Sequence, residues 1–158
     1  MKLGEALAEI TQLQSKLTRI HDLRSGLFSL LKDHEPEYSY YDLTKEIETI
    51  HRQIIELKSR IQKTNLQTII TVVLEDKKIT TSITEAILFV AFLRSELSQY
   101  EYLVPKAAEA QYGRETTVEY YHPISDVERE KIITNMEKTK RKYDLAIQGA
   151  NWTTDLLD

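Results

Sequence analysis

The chain has 158 residues with a formal net charge of −4; 41% are hydrophobic and 29% charged. Cysteine is absent, which excludes disulfides, thiolate metal sites and cysteine nucleophiles. The mild acidity argues against a dedicated nucleic-acid binder, whose surface is net basic.

Four Gly and three Pro leave little material for turns, so a helix-rich chain is expected. The length is enough for one domain, 1–158, with a real core. Met1-Lys2-Leu3-Gly4-Glu5 leads into an amphipathic stretch, not an apolar signal core. No apolar run approaches the ~20 residues that span a bilayer. The expected location is the cytoplasm, with neither nucleic acid nor membrane as partner.

From Leu3 the apolar residues fall at Leu3, Ala6, Ile10, Leu13, Leu17, Ile20, Leu27 and Leu31. Alternating steps of three and four put them on one helix face, and a strict seven-residue repeat implies left-handed packing on a partner helix. A helix is predicted from Leu3 to about Lys32, ended by Asp33-His34-Glu35-Pro36 because Pro36 disfavours helical backbone before it. Arg24 interrupts the stripe, and the sequence reading makes it a polar residue that sets register by pairing with a carboxylate of another helix. Leu23, Phe28 and Leu30 widen the stripe beyond a two-helix seam, as an interface would.

A second stripe runs through Tyr40, Leu43, Ile47, Ile50, Ile54, Leu57 and Ile61. Its helix opens at a Ser39-x-x-Asp42 cap and closes near Thr64-Asn65. The short link makes the two stripes an antiparallel helical hairpin over 3–64. The β-branched run Thr68–Leu74, a polar turn and Ile79-Thr80-Thr81 predict a β-hairpin over 68–81.

Ser82-x-x-Glu85 caps a third helix, 83–104, which begins with the apolar run Ala86–Leu93 and breaks at Pro105. Helix is expected to resume over Ala107–Tyr112. Gly113 marks a loop within a strand-and-loop segment, 113–124, where Thr116–Tyr121 is β-prone and is expected to add a third strand to the hairpin. Ser125-x-x-Glu128 caps a fourth helix, 126–149, stopping at Gly149, with Trp152, Leu156 and Leu157 as an apolar tail folding back. The predicted fold class is mostly α: a long helical hairpin in a four-helix bundle with a small antiparallel β element.

Few residues suggest chemistry. Glu48-x-x-His51 has the spacing of di-iron carboxylate bundles, and Glu119-x-x-His122 repeats it. The phase speaks against a metal, because Ile47, Ile50 and Ile54 hold the core face and turn Glu48 away. Neither His21 nor His34 has a Ser or Asp companion, and no catalytic residue or cofactor is expected. The basic cluster Lys138–Lys142 reads as a solvated helix face. The run around Phe89 and Phe92 reads as core or as a subunit interface. Three functional readings follow: self-association or a protein partner, membrane activity, and a metal-binding bundle using Glu48 and His51. The first is preferred, as a homo-oligomer formed through the heptad stripes and the third helix.

Four stretches resemble a known family together: Met1–Leu7, Ile61–Asn65, Ile83–Ile87 and Asn151–Leu157. Their order and spacing are similar to those of small bacterial proteins labelled septicolysin-like. That family's Tyr-Ser-Arg-Ser-Glu stretch is matched loosely by Tyr112-Gly113-Arg114-Glu115, and its Arg-Asp after the third-helix cap is replaced by Phe89-Val90-Ala91. The resemblance implies a helical bacterial protein without an established activity; the label implies a cytolysin. It transfers no catalytic residue.

Overall fold

The computed structural model describes residues 1–75, 77–103, 109–110, 117–118 and 120–158. Four helices are found among them: α1 (Leu3–Gly26), α2 (Tyr40–Gln67), α3 (Ile83–Tyr102) and α4 (Asp126–Thr153). Two strand pairs accompany them: β1 (Ile69–Leu74) with β2 (Lys77–Ser82), and β3 (Glu109–Ala110) with β4 (Thr117–Val118). The chain is mostly α with a small antiparallel β element. It divides into two compact units: 1–69 with 82–84 and 148–158, and 70–81 with 85–147.

The first unit is built on the α1–α2 hairpin. Of the second stripe, Leu43 through Ile61 are all buried, and Ile20 of α1 packs among Leu43, Ile47, Ile50 and Ile54. Half-buried Leu13, Leu17 and Leu27 close the seam. The two stripes therefore meet each other inside the hairpin.

α1 is shorter than its pattern. It ends at Gly26, passes through a 3-10 turn at Leu27–Ser29, and leaves Leu31 70% exposed. The stripe ends there because no α2 side chain precedes Tyr40 to receive it. At the start of α2, the Ser39 hydroxyl accepts the Asp42 N–H at 3.4 Å, as its sequence suggests.

In the second unit the faces alternate along β1. Ile70 and Val72 are buried and Thr71 and Val73 are exposed, the period of a half-buried strand. Glu75 turns the hairpin with φ 52, a left-handed value uncommon outside glycine. Ala86, Val90 and Leu93 of α3 are buried, as is Tyr143 of α4. Glu85 at the start of α3 accepts the Thr81 hydroxyl at 2.9 Å.

At α4 the cap is reciprocal: the Glu128 N–H donates to Ser125 Oγ (3.2 Å), and the Ser125 N–H donates to Glu128 Oε2 (2.9 Å). The Ser125 N–H, and after it the Ser125 hydroxyl donating to the same oxygen (2.9 Å), hold the Glu128 carboxyl below its ordinary pKa.

Three expectations need correction. β4 pairs with β3, Glu109 opposite Val118 and Ala110 opposite Thr117, so it adds no third strand to β1–β2. A local partner costs less chain-closure entropy than a distant one. The same pairing replaces the helix expected over Ala107–Tyr112 at residues 109–110. Finally, α4 runs through Gly149 to Thr153, so Trp152 is helical and 67% exposed while Leu156 alone of the tail trio is fully buried. The break at Pro105, the loop at Gly113, the Tyr112–Glu115 stretch and Glu119 lie outside the described residues.

Candidate functional site

At the turn end of the helical hairpin, where α1 gives way to α2, Leu23, Leu27, Leu30 and Tyr38 line a depression of about 430 Å³. Arg19, Asp22 and Glu37 stand on its rim, and none of the three forms an ion pair among the described residues. A hydrogen bond to the Glu37 carboxylate, reinforced by its charge, raises the Tyr38 pKa, while nearby Arg19 opposes the shift. Tyr38 is therefore a neutral donor at physiological pH.

Beside this depression, rings meet edge to face: Phe28 with Tyr40 at 5.9 Å and Tyr40 with Tyr41 at 5.6 Å. Phe28 is 80% exposed and Tyr41 81%. An apolar surface of this density at one end of a hairpin is the kind that marks an interaction site.

Among the described residues Arg24 pairs with no carboxylate. Its Nη1 donates to Thr44 Oγ1 (3.3 Å), its Nη2 meets His21 Nδ1 (3.3 Å), and its guanidinium lies 5.9 Å from the Tyr40 ring centre. It spans the two helices as a hydrogen-bonded and cation–π link.

A second apolar surface lies on α3. Burying Ala86, Val90 and Leu93 leaves Ile87, Leu88, Phe89 and Phe92 open to solvent. Phe89 and Phe92 stack at 6.1 Å, and Phe89 meets the buried Tyr143 at 4.9 Å. Both candidate interface residues thus stand on an exposed face, anchored at one edge to α4.

Glu48 and His51 are both exposed, and His51 meets His21 edge-on at 6.4 Å. Among the described residues no three His, Asp or Glu side chains come together to hold a metal. Nor is any described helix long and apolar enough to cross a membrane. Within the basic cluster, Lys140 bonds Asp144 at 3.1 Å, whereas Lys138, Arg141 and Lys142 line a groove facing the β-hairpin.

Three of the stretches quoted for the family resemblance, and Ile83-Thr84 of the fourth, lie in the first unit. Lys2 and Asp155 form an antiparallel bridge, closed by Leu3 N–H to Thr154 O and Leu156 N–H to Met1 O, both 2.9 Å. The Lys2 ammonium lies 2.8 Å from Asp155 Oδ1 and holds that carboxyl below its ordinary pKa.

Arg60, Lys63 and Thr64 at the end of α2 bind the final residues: Arg60 Nε donates to Leu157 O (2.9 Å), Lys63 to Asp158 O, and the Leu157 N–H donates to Thr64 Oγ1 (3.0 Å). Ile83 N–H donates to Thr68 O at 3.0 Å. These shared residues make a terminal clasp. Sequence reasoning missed it because hydrogen bonds between chain ends leave no periodic signal.

The fold is similar to that of a functionally unknown conserved protein from Corynebacterium diphtheriae, seen in a crystal structure: 23% identity, TM-score 0.76, with 99% of each chain covered. That likeness concerns the fold alone. No curated protein matches the chain, and neither the neighbour nor the matching family carries the septicolysin label. The model of the family of unknown function DUF6847 matches residues 5–156, and the chain belongs to that family.

Proposed function

We propose that this protein acts without catalysis, by self-association through the turn end of its helical hairpin. The observation that carries the reading is the Leu23–Leu27–Leu30–Tyr38 depression with unpaired charges of both signs on its rim. In a two-fold contact each patch meets its own copy. Arg19 then faces Glu37 or Asp22 across the axis, so the rim is complementary to itself. Burying one leucine is worth about 1.5–3 kcal/mol, while an exposed rim pair contributes about 0–1 kcal/mol and chiefly fixes orientation. The apolar residues thus supply affinity and the charges register.

Sedimentation velocity at micromolar concentration tests this. The expected result is a dimer that Leu23→Glu with Leu30→Glu converts to monomer. Arg19→Glu is expected to weaken the dimer, and adding Glu37→Arg to restore it. A monomer at every concentration overturns the reading.

The septicolysin-like alternative is an outcome of a parallel assay. Dye release from liposomes that depends on Phe28 and Tyr41, from a chain that stays monomeric, would favour membrane activity. Exposed Asp33, Glu35 and Glu37, in the segment between Phe28 and Tyr41, disfavour contact with an anionic bilayer. A metal-binding role would require a bound transition metal lost on Glu48→Ala or His51→Ala.

A further inference from the structure

The second unit contains a groove of about 630 Å³ between the β1–β2 hairpin and α4, within the size range of small-molecule sites. Its floor is aliphatic. Leu74 and Ile79 extend the strand face that buries Ile70 and Val72, and Leu145 opposes them from α4 while 59% exposed. Above that floor stand Lys77, Lys138, Arg141 and Lys142. None of these four cations forms an ion pair among the described residues.

We propose that this groove binds a soluble amphipathic anion, an alkyl chain bearing a phosphate or carboxylate head. Lys138, Arg141, Lys142 and Leu145 recur at three- and four-residue steps, so they share one face of α4. Like charges at that spacing repel, and an anion between them relieves the repulsion. Acidic residues outnumber basic ones on this chain, 25 to 21, so the cluster is not a by-product of general basicity.

A purely solvated basic face also has no use for three aliphatic side chains at its base. The aliphatic floor selects an alkyl chain, since among the described residues no aromatic ring lines the groove to stack a nucleobase. Glu75 places one carboxylate at the turn end, which orients the anionic head toward α4. The site is concave, and Glu130 and Glu137 are exposed on the same helix. An individual molecule therefore fits better than an anionic membrane plane.

Isothermal titration with dodecyl phosphate below its micellar concentration tests the proposal, with dodecyl maltoside (chain without charge) and inorganic phosphate (charge without chain) as comparators. One saturable equivalent is expected, with each comparator at least about tenfold weaker and affinity falling as salt rises. Arg141→Gln with Lys142→Gln, and separately Leu145→Lys, should each weaken binding roughly tenfold, a loss of ~1.4 kcal/mol. All three residues are exposed, and circular dichroism confirms that the variants fold. Phe92→Ser on the α3 face should leave binding unchanged. Equal binding of dodecyl maltoside, indifference to the groove variants, or binding only to phosphatidylglycerol vesicles overturns the proposal.

Discussion

Gly4 and Gly26 both lie in α1 and have opposite surroundings. A Cβ on Gly4 would sit 3.1 Å from the Asn151 carbonyl oxygen and 3.3 Å from the Trp152 ring. The carbonyl belongs to helical backbone and cannot swing aside. A Cβ on Gly26 would meet nothing within 4 Å. In a helix, glycine ordinarily costs about 0.5–1 kcal/mol relative to alanine, and Gly26→Ala should recover that amount. Gly4→Ala should instead lose about 1–3 kcal/mol, because overpacking against fixed backbone outweighs the propensity gain. Urea denaturation of the two variants gives shifts of opposite sign if the clasp is as tight as its distances; shifts of the same sign contradict it. Thr64 follows the same logic from the polar side. Although fully buried, its hydroxyl donates to Arg60 O at 2.8 Å and accepts the Leu157 N–H, so burial leaves it satisfied.

Among the elements, α2 was the most legible in the sequence. Its stripe from Leu43 to Ile61 is buried without exception, because one partner helix imposes one period. Ile50→Ala should therefore cost about 2–5 kcal/mol, whereas Glu48→Ala, two residues away on the outer face, should stay within about 0.5 kcal/mol. Equal effects in thermal or urea unfolding would mean that the phase assigned to this helix is wrong. α1 was less legible, since its stripe outruns α2 at Leu31, which is exposed but looks in sequence like another core leucine. Gly149 failed as a stop signal because a glycine's cost of about 1 kcal/mol is less than what the adjacent buried Ala150 and the clasp supply. The candidate sites were legible only in pieces. Phe28, Leu30, Phe89 and Phe92 were visible as surplus apolar residues. The rim charges Arg19, Asp22 and Glu37 gather only after the chain reverses between α1 and α2. Lys138–Lys142 looked like a solvated face because Leu74 and Ile79, which floor its groove, are about sixty residues away in sequence.

At the scale of the whole molecule, the two ends of the chain hold the first unit together. Deleting Asp155–Asp158 removes the buried Leu156 side chain, worth about 1.5–3 kcal/mol, and the Leu156 and Leu157 N–H bonds at about 1 kcal/mol each. It also leaves Thr64 without the amide it accepts and Arg60 without Leu157 O. The expected loss is roughly 3–5 kcal/mol, set against a total stability of about 5–15 kcal/mol typical of such chains. Most molecules stay folded, but hydrogen exchange should accelerate at Leu3–Ala6 and at the C-terminal turns of α2. Acid should produce a weaker version of the same effect. Because the Asp155 pKa is lowered on folding, its contribution is complete above the ordinary aspartate pKa and disappears as pH falls through the lowered value. A four-residue deletion of Lys32–Glu35, all exposed, supplies the contrast: it removes no buried side chain and should cost far less. If both deletions destabilise equally, the clasp is incidental to the stability of the first unit.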